Sequence, residues 1–126
     1  MVQCANAQTI AVVGSKMGTS GTPDRYVAHP IFRGWLEMKN QNGKPSDIQR
    51  AVIRKLISCG DIAFIVRYYG RTDSFGFETL NREFASESYY MKDLPREDGK
   101  CGVFILQMLA QFRDTCISKG LLCQQH

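Results

Sequence analysis

Two carboxylates and an amine occur in this sequence at a spacing that could do chemistry on a phosphate. Asp24 follows a Gly-Thr-Pro turn, and thirteen positions later Glu37 comes two residues before Lys39. Side chains two apart on a β-strand point to the same face, so Glu37 and Lys39 would share one face while Met38 occupies the other. If Asp24 opens an adjacent strand, the two carboxylates and the amine converge at one end of a small sheet.

Such a cluster would suit a divalent cation. Magnesium takes oxygen ligands in proteins, often one or two carboxylates together with substrate phosphate and water. A nearby lysine can orient or deprotonate the attacking water, or stabilise the charge on the phosphate. These residue types at this spacing therefore predict metal-dependent hydrolysis of a phosphodiester bond.

The composition of the chain is compatible with that prediction. Its 126 residues suffice for a single domain, 1–126, with a substantial hydrophobic core. A formal net charge of +4 suits a polyanionic partner without proving one. No apolar run approaches the roughly 20 residues that cross a bilayer, and the N-terminus lacks the pattern of a signal peptide. We therefore expect no membrane partner.

The cysteines indicate a reducing compartment. There are five of them, at positions 4, 59, 101, 116 and 123, without paired C-x-x-C spacing. An odd and unpaired set argues against a disulfide framework or a zinc site. We expect reduced thiols and a cytoplasmic location, with the nucleus as the other intracellular option.

The elements that must position the cluster follow from the hydrophobic patterning. Alternating or β-branched runs predict four strands, at 9–14, 25–29, 31–39 and 61–67. Before the last strand, Ser46 and Gln49 have the spacing of a helix-capping box, and apolar residues at helical spacing continue to Gly60. The order β-β-β-α-β with a buried last strand predicts an α/β domain with a mixed sheet.

Two further segments complete the predicted organisation. The loop at 14–21 is rich in glycine and hydroxyl residues, but it lacks the closing Gly-Lys-Ser/Thr of a P-loop, so we expect a turn that brings Lys16 near phosphate. Past the motif core, at 9–67, the pattern predicts a short strand at 74–80 and a helix at 101–119. We expect this part, 68–126, to be a C-terminal helical extension.

Taken together, these residues resemble the PD-(D/E)XK nuclease superfamily, and within it the VRR-NUC (virus-type replication-repair nuclease) family. The matching strings are G-T-P-D at 21–24, E-M-K at 37–39, G-K-P-S-D-I-Q at 43–49 and G-x-x-x-x-I-V-R at 60–67. The resemblance covers a little under half of the chain. It implies a restriction-endonuclease-like α/β core, in which a mixed sheet is flanked by helices.

The resemblance also implies roles for individual residues. Asp24, Glu37 and the backbone carbonyl of Met38 would be ligands of magnesium or manganese. Lys39 would be the catalytic lysine and Gln49 the active-site glutamine, although the capping box alone also accounts for Gln49. The basic residues expected to contact DNA are Lys16, Arg25, Lys44, Arg50, Arg54 and Arg67. For Arg50 and Arg54, a solvated helix face is the competing interpretation.

One departure from the family pattern leaves two alternatives open. Family members usually supply another acidic ligand from a helix ahead of the P-D motif, and no Asp or Glu precedes Asp24 here. The chain could therefore be a catalytically inactive nuclease-fold module that binds DNA or protein. A more remote alternative is a cysteine peptidase using Cys101, because D-G-K-C-G-V-F at 98–104 faintly resembles the nucleophile motif of SUMO-protease-like enzymes.

The function that the sequence favours is a magnesium-dependent DNA endonuclease. Small phage-type relatives, by resemblance, act on branched DNA, so a Holliday junction is the first substrate to expect. We also expect a homodimer, because the apolar C-terminal helix would have little left to cover in so small a domain and because four-way junctions are two-fold symmetric.

Overall fold

A single mixed sheet organises the chain. The computed structural model describes residues 8–11 and 21–121. Its strands are β1 (Gln8–Ala11), β2 (Arg25–Ala28), β3 (Arg33–Asn40), β4 (Ala63–Tyr69), β5 (Ser74–Glu78) and β6 (Tyr89–Tyr90), and its helices are α1 (Asp47–Ser58) and α2 (Lys100–Ser118). The strands lie side by side in sequence order. Every neighbouring pair is antiparallel except β3 and β4, which α1 joins as a parallel crossover.

Helix α1 begins and ends where its sequence signals predict. The Ser46 side chain accepts a hydrogen bond from the Gln49 N–H, and the Gln49 side chain accepts one from the Ser46 N–H, which completes a capping box. The helix stops before Gly60, whose φ of +95° favours glycine. Its buried Ile53 packs with Ala63 and Ile65 of β4 against one face of the sheet.

The other face of the sheet is covered by α2. Phe112 of this helix contacts Phe64 of β4, with ring centroids 4.8 Å apart, and lies 5.9 Å from Phe77 of β5. Ile105 and Leu109 are completely buried in the same cluster. Burying a large apolar side chain contributes about 1.5–3 kcal/mol. This face therefore carries the main core of the domain.

The expected α/β fold, a mixed sheet flanked by helices, is confirmed. The part that we expected as a C-terminal extension is integral to it, because β5 pairs with β4 and α2 packs on the sheet. This packing also removes one ground for a homodimer, since the apolar side of α2 is occupied by its own domain. The predicted loop at 14–21, except its last residue, and the end of the predicted strand 9–14 lie outside the described residues.

Candidate active site

A close contact between a glycine and α1 fixes the turn that carries Asp24. Gly21 has a φ of +87°, and a Cβ added there would lie 2.6 Å from Ile48 Cγ2 and 2.9 Å from the Ile48 carbonyl oxygen. Only glycine can combine that backbone conformation with that contact at low cost. Pro23 is buried and Asp24 is exposed directly before β2 begins. The turn therefore presents the carboxylate of Asp24 at the sheet end near the start of α1.

Asp24 is connected to β3 through the backbone of Met38. Its Oδ2 accepts a hydrogen bond of 2.9 Å from the Met38 N–H. The Trp35 N–H donates to the Ile62 carbonyl, on the side of β3 that faces β4. Successive residues of a strand direct their N–H and C=O groups to opposite sides, so those of Met38, three residues later, point to the β2 side. Because β2 pairs with β3 no further than Leu36, the Met38 carbonyl emerges beside Asp24 without a strand partner on that side.

Glu37 is a buried carboxylate with one oxygen left open. Its residue surface is only 2% exposed. Oε2 accepts a hydrogen bond of 3.0 Å from Gln49 Nε2 and lies 3.3 Å from Lys39 Nζ. Oε1 has no hydrogen-bond partner among the residues that the structure describes. An unpaired buried oxygen is costly and calls for an explanation, and the binding of a cation is an accepted one.

The surroundings of Glu37 oppose its ionisation. Burial raises the pKa of the Glu37 carboxyl above its ordinary value, and the nearby Asp24 charge raises it further, while the hydrogen bond and charge of Lys39 lower it. The net direction is upward. Two carboxylates that repel each other in this way are stabilised together when a cation lies between them.

Gln49 holds Glu37 and Lys39 in place while it caps α1. Its Oε1 accepts hydrogen bonds from Lys39 Nζ at 3.1 Å and from the Ser46 N–H at 2.9 Å, and its Nε2 donates to Glu37. The two interpretations that the sequence left open for Gln49 are therefore not exclusive. One amide side chain joins the start of the helix to the charged pair on β3.

The donors at this site fit a hard divalent cation. Asp24, Glu37 Oε1 and the Met38 carbonyl all offer oxygen, which magnesium and manganese accept. All twelve Asp and Glu residues of the chain lie within the described ranges, yet no group of three or more His, Cys, Asp and Glu in those ranges could hold a metal ion. The further acidic ligand expected from family members is therefore not supplied by the described fold.

The residues expected to bind DNA have different surroundings. Lys44 in the β3–α1 turn and Arg54 on α1 are exposed, whereas Arg25 at the start of β2 is half-buried. Arg50 is half-buried and donates through Nη1 to Asn81 Oδ1. Lys16 lies outside the described residues. The structure thus leaves Lys44 and Arg54 accessible to a ligand and fixes Arg50 against a neighbouring turn.

Arg67, which was expected to contact nucleic acid, makes several hydrogen bonds within the fold. The residue is 3% exposed, and its Nε and Nη2 donate to the two oxygens of Glu78 at 2.8 and 3.1 Å. Its Nη1 donates to the Asn40 and Gly43 carbonyls at 2.8 and 2.6 Å. These hydrogen bonds all lie within the protein, and those to Asn40 and Gly43 fix the turn that follows Lys39.

Sequence reasoning missed the partners of Arg67. A charged residue in an apolar strand requires a buried counter-charge, and that was the signal that could have pointed to Glu78, the acid of β5. Burial alone would raise the pKa of Glu78, but hydrogen bonds from Arg67 and Arg82 outweigh it and hold that pKa below its ordinary value. Nothing local in the sequence distinguishes Arg82 from other surface arginines.

The remote cysteine-peptidase alternative gains no support from the geometry. His29 and Trp35 would have to supply the histidine and tryptophan of such a site. His29 instead accepts the Ile31 N–H through Nδ1 in the β2–β3 turn, at 3.0 Å. Trp35 packs edge-on against Tyr26, with centroids 4.9 Å apart. Both residues are accounted for by local structure.

Comparisons with known proteins add little to this geometry. No family model matches the chain, and no curated protein matches it. Among solved structures, the chain is similar to that of Hjc, a Holliday junction resolvase from Archaeoglobus fulgidus, with 16% sequence identity and a TM-score of 0.46. That match covers 86% of this chain and 89% of the other. A likeness of this degree does not establish a shared activity, and the VRR-NUC resemblance stays a prediction.

Proposed function

We propose that the protein is a metal-dependent nuclease that hydrolyses DNA phosphodiester bonds. The observation that carries the proposal is the buried carboxylate of Glu37, whose Oε1 lacks a partner in the described structure while Asp24 stands close enough to raise its pKa. Lys39 and Gln49 hold the other oxygen of Glu37. A carboxylate arranged in this way is poorly suited to a structural role and well suited to a cation.

Each residue has a distinct task in the proposed mechanism. Asp24, Glu37 Oε1 and the Met38 carbonyl would hold magnesium or manganese, which supplies Lewis-acid stabilisation of the phosphate when bound. Lys39 keeps its ammonium between Glu37 and Gln49, where a remaining N–H can orient the attacking water or meet the charge that develops on phosphate. Gln49 fixes the rotamer of Glu37 and the position of Lys39 at once.

The finer parts of the proposal concern substrate and assignment. We assign the chain to the PD-(D/E)XK superfamily, and to its VRR-NUC branch, on the four matching strings and the placement of Asp24 beside the E-x-K segment of β3. Endonucleolytic cleavage of branched DNA, such as a Holliday junction, is the substrate class proposed. DNA would be contacted by Arg25, Lys44, Arg50 and Arg54, and by Lys16 from outside the described residues.

Assembly and location complete the proposal. A homodimer now has one ground, the two-fold symmetry of a four-way junction, which presents two equivalent strands to two sites. A cytoplasmic location is supported by Cys59 and Cys116, which form no disulfide within the described residues. In the described residues, no helix has the length and apolar character needed to span a bilayer.

The test compares cleavage across DNA forms. Wild type would be incubated with magnesium or manganese and with single-stranded, duplex, flapped and four-way-junction DNA, beside Glu37→Ala and the exposed-arginine control Arg33→Gln. We expect wild type and Arg33→Gln to cut the branched forms and Glu37→Ala to cut none. Equal cleavage by Glu37→Ala would contradict the proposed site.

A second candidate is favoured by the missing acid. Two carboxylates without a third acidic ligand would also be found in a nuclease fold that has lost catalysis and binds DNA. The same experiment separates the candidates. Wild type that binds the branched DNA but cleaves no form, with either metal, would support the inactive module.

A further inference from the structure

A basic cavity lies next to the candidate active site on the α1 face of the sheet. It has a volume of about 420 Å³, and Ile65 and Arg67 of β4 line it together with the turn between β3 and α1. Arg50 lines it from α1, and Asn81 and Arg82 line it from the 3-10 turn after β5. Its size is within the range of pockets that hold small ligands.

The charge of this cavity is strongly unbalanced. Of its ten lining residues, Lys44, Arg50, Arg67 and Arg82 are basic and none is acidic. Glu78 is the one acid paired with them, and it bridges Arg67 and Arg82. Neither Lys44 nor Arg50 forms a salt bridge within the described structure. Four cations therefore share one carboxylate, and an anion in the cavity would relieve the excess.

The cavity is built from strained and fixed backbone. Asn81 and Arg82 are successive non-glycine residues with φ of +66° and +60°. Such conformations cost about 1–3 kcal/mol each and cluster at ligand sites, where the surrounding structure enforces them. Asn81 Oδ1 accepts a hydrogen bond from Arg50 Nη1, and Arg82 is held by Glu78 at 3.3 Å. The turn thus places the guanidinium groups of Arg50 and Arg82 at the cavity, each with a hydrogen-bond partner.

The cavity lies within reach of the strand that the active site would cut. Arg67 pairs in register with Lys39 on the adjacent strand, and neighbouring strands are about 4.8 Å apart. Arg50 directly follows Gln49, which contacts Lys39. A phosphate in the cavity would therefore lie near the scissile phosphate on the same strand.

We propose that this cavity is a second phosphate site of the enzyme. Lys44, Arg50 and Arg82 bind the backbone phosphate one or two nucleotides from the scissile one and fix the register of the strand over Glu37 and Lys39. The inference rests on the proposed nuclease function and adds Arg82 and the 3-10 turn to it. Arg67 is not included in the contact, because all three of its guanidinium nitrogens already donate hydrogen bonds within the protein.

The first experiment measures DNA affinity without cleavage. Lys44→Gln, Arg50→Gln, Arg82→Gln and the triple variant would be compared with Arg33→Gln, an exposed arginine at the opposite end of β3. Duplex and single-stranded binding would be titrated in EDTA over a series of NaCl concentrations. Loss of one phosphate contact lowers the slope of log affinity against log salt by about 0.7–0.9.

We expect each cavity variant to weaken binding by about three- to tenfold, and the triple variant to lower the salt slope by more than the Arg33→Gln control does. Thermal unfolding checks that each variant is folded. Arg82 tolerates replacement because its side chain is 58% exposed and its pairing with Glu78 contributes little at such a site.

The second experiment places the contact on the strand. Once wild type has identified the scissile phosphate, methylphosphonate substitution removes the charge of single neighbouring phosphates. We expect the neutral phosphate one or two positions away to weaken wild-type binding, and to leave the already weakened triple variant unchanged. A methylphosphonate that weakens both proteins equally would overturn the assignment.

The remaining outcomes separate this inference from the nuclease itself. Wild-type cleavage with unaltered affinity and salt slope in the triple variant would overturn the second phosphate site alone. A wild type that neither binds nor cleaves DNA would overturn both proposals. Unaltered DNA affinity together with lost affinity for inorganic phosphate or deoxyadenosine monophosphate would overturn the strand contact and identify a site for a free phosphate compound.

Discussion

At the scale of single residues, the site depends on one carboxylate that the fold does not satisfy. Glu37 is enclosed by the sheet and by α1, and Lys39 and Gln49 contact one of its two carboxylate oxygens. The other oxygen has no hydrogen-bond partner within the described structure. Such an arrangement costs stability and is kept where an incoming charge offsets the cost.

The raised pKa of Glu37 predicts how metal binding depends on pH. A cation binds the ionised carboxylate, so it competes with a proton that this residue holds more tightly than an exposed glutamate does. We expect the manganese-induced rise in melting temperature to be small at acid pH, to grow as the pH rises through the pKa of Glu37, and then to level off. A manganese titration by thermal shift at several pH values measures this. Glu37→Gln should show little shift throughout, and a pH-independent shift in wild type would contradict the account.

In the metal-free protein, the contribution of Glu37 to stability changes with pH in the opposite direction. Because the folded state holds the Glu37 proton to a higher pH than the unfolded state does, this residue makes the protein more stable below its raised pKa. That contribution is lost as the pH rises from the ordinary glutamate value through the raised one. Metal-free unfolding of wild type and Glu37→Gln over the same pH range isolates it.

Gln49→Glu separates capping from catalysis. Glutamate also completes a capping box with Ser46, so α1 should keep its stability to within about 1 kcal/mol. The variant loses the N–H that holds Glu37 and adds a third carboxylate beside it, so cleavage should fall by about ten- to a hundredfold. Cleavage rates and urea unfolding measure the two effects. Loss of folding together with activity, in a variant that keeps the cap, would show that the contact between Gln49 and Glu37 is mainly structural.

At the scale of elements, two long-range contacts position residues that local patterns had placed in the right elements. Strand alternation predicted that Glu37 and Lys39 share a face, and the capping box predicted where α1 begins. Neither pattern could show that Gly21 packs on Ile48, or that Arg67 reaches Glu78 and the turn after β3. Those contacts join segments distant in sequence, and periodicity carries no signal for them.

Gly21→Ala should displace the turn that carries Asp24. Its added Cβ would come within 2.6 Å of Ile48 in a backbone conformation that alanine adopts poorly. We expect a loss of about 1–2 kcal/mol in stability and a ten- to a hundredfold fall in cleavage. Gly70→Ala is the matched control, because its Cβ would meet no atom closer than 3.7 Å. Equal effects of the two variants on cleavage would argue against a positioning role for Gly21.

Arg67→Ala should destabilise the protein by about 3–5 kcal/mol, because it removes the buried partner of Glu78 and leaves that buried carboxylate with only the exposed Arg82. The more conservative Arg67→Lys keeps the charge but cannot bind both Glu78 oxygens and the Asn40 and Gly43 carbonyls, so we expect a smaller loss. Chemical denaturation measures both. A stable Arg67→Ala with weakened DNA binding would return this residue to the nucleic-acid contacts first expected of it.

At the scale of the whole molecule, the sequence predicted the mixed α/β sheet and the grouping of Asp24, Glu37, Lys39 and Gln49. It predicted less well the part of the fold that surrounds this group. The weakly patterned stretch after Arg67, at 68–100, supplies β5 and β6, and it adds Phe75, Phe77 and Leu94 to the main core. Its short strands are stabilised by packing on α2, so their own residues carry little periodic signal. Because the sequence carries little signal for these strands, it does not show what covers the apolar face of α2, and that face therefore suggests a dimer surface.

The measurement that tests the central claim most directly is cleavage of a labelled four-way junction in manganese by wild type and by Glu37→Gln. The substitution keeps the size of the side chain and removes the charge that would hold the cation. The account predicts cutting by wild type, loss of cutting on removal of the metal, and at least a thousandfold slower cutting by Glu37→Gln, on the order of the effect of losing a central catalytic group. Glu37→Gln that cuts at the wild-type rate, or wild-type cutting that persists in EDTA, would contradict it.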